Sequence, residues 1–184
     1  MTRLLWLGRS PAWRAAAVVA AIVIAGAGWY LGSPLFIRTT LNEELPTFMP
    51  AATQPATALP SGRVGVAPVP EPQVAILAKG ELQFVDNLHN GKGPVTLVRV
   101  GEQRVLRFQD VSITNAPDVH VYLSRETGGK WSEATSLYLG PLKATNGSFN
   151  YDIPANADLS LYKSVVVWCR VFTVLITWAD LKPG

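Results

Sequence analysis

From Ala15 to Gly32 the chain reads AAAVVAAIVIAGAGWYLG, without a single charge. No other feature constrains the fold as strongly, because a helix of about 18 residues covers roughly 27 Å, close to the thickness of a bilayer core. Trp13 on one flank and Trp29 and Tyr30 on the other are aromatics that favour the membrane–water interface. Arg3, Arg9 and Arg14 precede the run; Arg38 alone follows closely, countered by Glu43 and Glu44. The positive-inside rule therefore assigns residues 1–14 to the cytoplasm, residues 15–32 to a transmembrane helix, and everything beyond to the extracytoplasmic side. Ala25-Gly26-Ala27 has the small-residue form of a signal-peptide cleavage site, which is the competing reading. The apolar run continues past it through Trp29, Tyr30 and Leu31, so a single-pass anchor is favoured. Both readings put the rest of the chain outside the cytoplasm.

The net charge of +3 belongs to the same region. From Val74 onward 11 Lys and Arg face 10 Asp and Glu, so the C-terminal part is close to neutral. The remaining excess comes from arginines beside the apolar run and before residue 64, where they set orientation. Nucleic-acid binding, which needs a basic stripe, is excluded.

Residues 33–73 read as an extracytoplasmic tether. Pro46, Pro50, Pro55, Pro60, Pro68, Pro70 and Pro72 interrupt a stretch of small residues, and proline at that density favours an extended chain over helix or ladder. A short surface helix over Thr40–Glu44 is expected in its first part, ahead of the prolines.

Beyond Pro72 the pattern changes to short, alternating runs split by Gly, Asn, Asp and Pro. Candidate strands are Glu81–Val85, Val95–Val100, Val105–Gln109, Val119–Ser124, Ser148–Ile153, Ser164–Val171 and Val174–Ala179. Turn sequences such as Asn90-Gly91 and Asn146-Gly147 lie between them, where positive φ is tolerated. Residues 74–184 are therefore expected to form one all-β domain, an antiparallel β-sandwich of the jelly-roll or immunoglobulin-like kind. Alternation in Val119-His120-Val121 turns His120 away from the core. Ser164–Val171 is apolar on both faces, the mark of a central strand, with Cys169 on one face and Trp168 on the other.

Cys169 is the one cysteine, so no disulfide forms within the chain. It is packed as a small hydrophobe, paired with another chain, or chemically used. His89 and His120 are the two histidines that could partner it. The bland alternatives are a loop side chain bonding its own turn for His89, a solvent-facing strand residue for His120, and a turn-forming carboxylate for Asp118. Arg170 is a poor activator of Cys169, since adjacent strand residues face opposite sides. A Cys–His–Asp hydrolase is disfavoured because nucleophiles sit at exposed turns and Cys169 lies within a strand. Covalent c-type haem lacks its Cys-x-x-Cys-His motif, and a structural zinc site lacks soft ligands.

The stretch Tyr162–Phe172, followed by Ala179-Asp180-Leu181, resembles the C-terminal signature of the DM13 family. Phe84 with His89 and Gly93, then Asn115–Ser124 with Ala116 in place of a glycine, then Leu139–Lys143 with Gly147 and Tyr151–Pro154, are similar to its other motifs in the same order. The resemblance covers residues 78–182. It implies an electron-transfer module at the cell surface, not a stand-alone enzyme, with Cys169 as a redox thiol or as the ligand of a prosthetic group. The cofactor is left unknown, with haem as one candidate and His89 and His120 as further ligands; Asp118 and Trp168 are motif residues. A redox partner is implied. The alternative is a non-catalytic sandwich that contacts an envelope protein or glycan, with Cys169 packed in its core.

Overall fold

The computed structural model describes residues 11–46 and 74–184. Helix α1 runs from Pro11 to Phe36, about 39 Å at the usual rise. Within it Ala12–Ser33 has a mean hydropathy of 1.9, and none of that span is buried against the protein. By length and composition it can cross a membrane. A helix apolar all round with no protein covering it has no stable place in water.

Three residues after α1 the chain enters the β-structure. The strands are β1 (Thr40–Asn42), β2 (Val74–Glu81), β3 (Gly91–Lys92), β4 (Pro94–Val100), β5 (Gln103–Ile113), β6 (Val119–Ser124), β7 (Leu137–Pro141), β8 (Asn146–Asp152), β9 (Ser164–Cys169), β10 (Val174–Asp180) and β11 (Lys182–Pro183). Among the described residues they form two sheets. One runs β1-β8-β5-β4-β2-β11, with β3 also on β5; the other runs β10-β9-β6-β7. All pairings are antiparallel except β1 with β8. The expected all-β sandwich with one N-terminal apolar helix is what forms.

The core follows from the alternation. Val95, Leu97, Leu106, Phe108, Phe149 and Tyr151 of the larger sheet share one buried cluster with Val119, Val121, Leu123, Val165, Val167, Cys169 and Ile176 of the smaller. Phe108 and Phe149 stack at 5.1 Å across β5 and β8. A second, smaller cluster of Val98, Val100 and Val105 lies on the outer side of the larger sheet, with Leu45 packed on it.

Several local expectations differ from the structure. Thr40–Glu44 contains a strand, not a helix: Thr40, Leu41 and Asn42 pair with Asn146, Gly147 and Ser148. The backbone groups of β8's free edge offer more hydrogen bonds than one isolated turn of helix at the membrane surface. Because β1 and β2 belong to one sheet, the proline-rich stretch connects two strands of the same domain. Its residues 47–73 lie outside the described residues. The first C-terminal strand is Val74–Glu81, and the expected Glu81–Val85 strand is a loop closed by a single bridge between Phe84 and Asn90. β7 has no counterpart among the expected strands, because it ends in Gly140 and Pro141, residues of low strand propensity. β9 stops at Cys169: Arg170–Thr173 forms a hairpin turn with Thr173 at φ +53°, leaving Val171 and Phe172 exposed.

Candidate functional site

β6 and β9 lie side by side in the smaller sheet, and their register fixes the site. Val119 pairs with Cys169, and His120 with Trp168. Successive residues point to opposite faces, so Cys169 enters the core while His120 and Trp168 share the outer face. Cys169 is fully buried, and its Sγ–H donates to the carbonyl oxygen of Pro117 at 2.9 Å. Val165 and Val167 occupy its own face of β9.

The candidate partners of Cys169 go elsewhere. His89 sits in the loop after β2, with Nδ1 2.8 Å from Asp86 Oδ2, while the His89 and Leu88 amides donate to Asp86 Oδ1 at 2.7 Å. That ring hydrogen bond, followed by the two amides, lowers the Asp86 pKa. The turn is thus organised by Asp86, and the His89 ring binds that carboxylate.

His120 is buried, although it points away from the core. The loop following β6 folds back over this face. Ser124 Oγ donates to Lys130 O at 2.9 Å, Ser164 Oγ donates to Glu126 O at 2.6 Å, and the Gly128 amide donates to Asp180 Oδ1 at 2.8 Å. Gly129, at φ +76°, lies so close to Leu175 that a Cβ there would come within 2.6 Å of its side chain. A bulge in the β6–β7 pairing between Val121 and Tyr122 brings Tyr138 opposite Tyr122. The tyrosine then caps His120: Nδ1 lies 2.9 Å from Tyr138 Oη, and Nε2 lies 2.6 Å from Asp118 Oδ1. A carboxylate only accepts, so Nε2 carries hydrogen toward Asp118, and Nδ1 of the neutral ring accepts from the phenol. Asp118 is held by its φ of +59° and by its carbonyl, which accepts from the Arg170 amide at 3.0 Å. Its carboxylate therefore serves the imidazole, not the turn backbone expected from the sequence.

The outer face carries more chemistry than the sequence reading assigned to it. Tyr122 and Trp131 have ring centroids 4.5 Å apart, Trp131 and Trp168 5.0 Å, Tyr122 and Tyr138 5.3 Å, and His120 and Tyr138 5.5 Å. Arg170 donates from Nε to Tyr122 Oη at 2.8 Å and places its guanidinium 4.8 Å from the Tyr138 ring centroid. Burial pushes the Tyr122 phenol above its ordinary pKa against the opposing pull of Arg170, while the bond to Tyr122 raises the pKa of Arg170. A cleft of about 610 Å³ opens here, lined by Tyr122, Trp131, Ser132, Glu133, Trp168, Arg170 and Thr173. The alternation of β6 already put His120 and Tyr122 on one face, while the β6–β9 register, visible only in the structure, sets Trp168 beside them. Trp131 arrives from a loop and Tyr138 through a bulge, and neither leaves a periodic signal.

A haem does not fit these residues. The Cys169 thiol is committed to Pro117 and has no exposed surface, the His89 ring is tied to Asp86, and both nitrogens of His120 are engaged on the opposite side of the sheet. No three His, Cys, Asp or Glu side chains gather as a metal site among the described residues.

Fold and site together define a two-sheet β-domain with a core thiol on one side of its central strand and a continuous aromatic layer on the other. The family model described as Electron transfer DM13 matches residues 83–181, and the chain belongs to that family. No curated protein and no solved structure matches the chain.

Proposed function

We propose that this chain is a single-pass membrane protein whose DM13 domain passes electrons on the extracytoplasmic side, with α1 as its anchor and residues 1–14 in the cytoplasm. Arg3, Arg9 and Arg14 ahead of the apolar helix support that orientation. One observation carries the redox reading. Neighbouring residues Cys169 and Trp168 face opposite sides of β9, so a single strand separates a core thiol from rings that reach the surface. A thiol without exposed surface cannot attack a disulfide, which requires contact between sulfurs. Electron transfer through the strand requires no such contact. The partner is a redox protein or small carrier of the envelope. Voltammetry of the full chain in lipid nanodiscs tests this: a wave in the wild type that is lost in Cys169→Ala is expected, and a silent wild type refutes it.

The complete burial of Cys169 also favours a second reading, an interaction module that presents its aromatic face to an envelope protein or glycan, with the thiol as packing. Under that reading Cys169→Ala changes stability only. Protease added outside spheroplasts checks the topology in either case, because a C-terminal domain protected until the membrane is broken would reverse the orientation.

A further inference from the structure

We propose that Tyr138, with His120 and Asp118 behind it, is a proton-coupled redox tyrosine and the point at which electrons enter or leave the domain. The inference rests on the electron-transfer reading and supplies it with a surface site. Three observations converge on Tyr138. Its side chain is partly open to solvent, with 44% of the residue exposed. Its phenolic oxygen is 2.9 Å from His120 Nδ1, and the far nitrogen of that ring is 2.6 Å from Asp118. Its ring touches Tyr122, from which the aromatic contacts continue through Trp131 to Trp168, the neighbour of Cys169.

The chemistry follows from the charges. Oxidation of a phenol that keeps its proton leaves a cationic ring, and the Arg170 guanidinium 4.8 Å from the ring centroid opposes that charge. Loss of the proton removes the conflict. In the step proposed, the O–H bond of Tyr138 breaks, its proton passes to His120 Nδ1, and one electron leaves the ring for a one-electron oxidant of the high-potential metal-complex class. The products are a neutral phenoxyl radical and an imidazolium with hydrogen on both nitrogens, facing the Asp118 carboxylate. When a reduced one-electron carrier returns an electron to the ring, the proton goes back from Nδ1 to the phenoxyl oxygen. His120 is suited to this because it is buried and already aligned, so no solvent rearrangement precedes the transfer. His120 and Asp118 are positioning and proton-holding residues; Tyr138 is the redox residue.

The test is photochemical. The full chain in nanodiscs is oxidised with photogenerated tris(bipyridine)ruthenium(III), and the radical is followed by electron paramagnetic resonance. A neutral tyrosyl signal is expected in the wild type and is lost in Tyr138→Phe, whose folding is checked by circular dichroism. His120→Gln retains a hydrogen-bond acceptor but takes no proton, and should slow oxidation by about a hundredfold, with partial rescue by added imidazole. Asp118→Asn gives a smaller slowing and guards against a His120 variant that misfolds. An unchanged signal in Tyr138→Phe overturns the proposal, as does a His120→Gln rate equal to wild type. If that happens while the Cys169-dependent wave persists, the electron-transfer reading stands without Tyr138. A Tyr138-dependent radical in a protein whose Cys169→Ala variant keeps its full wave supports Tyr138 and removes Cys169 from the electron path.

Discussion

The thiol of Cys169 and the carbonyl oxygen of Pro117 stand 2.9 Å apart, joining the end of β9 to the turn that leads into β6. That turn also places Asp118 beneath His120, so the core cysteine and the outer-face relay share one anchor. A buried thiol in this position reacts with an added reagent only when the structure opens. Native labelling of Cys169 by a disulfide reagent should therefore track global unfolding, and labelling at the rate of a free thiol would refute the geometry. Cys169→Ser keeps a donor for Pro117 but buries a more polar atom, and should lower unfolding free energy by about 1–3 kcal/mol.

The larger sheet is incomplete without β1. Fragment 39–184 should be more stable than fragment 74–184 by about 2 kcal/mol or more, since the shorter one uncovers the surface under Leu41 and Leu45. Gly147 tests the same contact from the other side. It has φ +103°, and an added Cβ would collide with the Leu41 carbonyl oxygen. Gly147→Ala should cost fragment 39–184 about 1–3 kcal/mol, and less in fragment 74–184, where the collision is absent. Equal losses in denaturant unfolding of both fragments would show that β1 is not docked.

What was legible in the sequence was whatever one residue's neighbours dictate. The α1 run, the inward set Val119, Val121 and Leu123, and the placement of Cys169 and Trp168 on opposite faces all follow from period and composition. The docking of Thr40–Asn42 was not legible, because three residues carry no period and their partner, β8, is more than 100 residues away. The burial of His120 escaped for a related reason. Alternation says which side of a sheet a residue takes, but the loop through Trp131 and the bulge beside Tyr138 decide what covers that side.

Acid should loosen β1. Burial acts to raise the Glu43 pKa, but the Asn150 amide, the hydrogen bond and charge of Lys143, and Arg107 outweigh it, so the value lies below the ordinary 4.5. Glu43 Oε1 accepts from Lys143 Nζ at 3.0 Å, and Oε2 from the Asn150 amide at 2.8 Å. For a carboxyl with a depressed folded pKa, the stabilisation is present above 4.5 and is lost as pH falls through the folded value. In fragment 39–184, Tm should fall below pH 4.5, and Glu43→Gln should lower Tm at neutral pH while flattening that acid limb. An acid limb identical in the variant would assign the loss to other carboxyls.

Tyr151 governs the opposite end of the pH range. Its buried hydroxyl donates to Pro141 O at 3.0 Å and accepts from the Lys143 amide at 2.9 Å, closing the turn between β7 and β8. Burial pushes its pKa far above the ordinary 10.0, only partly opposed by the Lys143 amide. The neutral phenol is therefore the form that folding requires. For a group whose folded pKa is raised, the stabilisation is complete below the unfolded value and is lost as pH climbs from that value toward the folded one. Stability should decline above pH 10.0 as the unfolded chain ionises Tyr151. Tyr122, also raised, adds to the decline. Tyr151→Phe strands a buried backbone donor and acceptor, costing about 1–3 kcal/mol at neutral pH, but it removes its share of the alkaline loss. Variant and wild type should thus differ most near neutrality and converge in base. Hydrogen exchange at the Lys143 amide gives a local check, because its protection depends on the phenol oxygen. Unchanged protection in Tyr151→Phe, with a parallel offset in stability at every pH, would mean that this hydroxyl does not hold the turn.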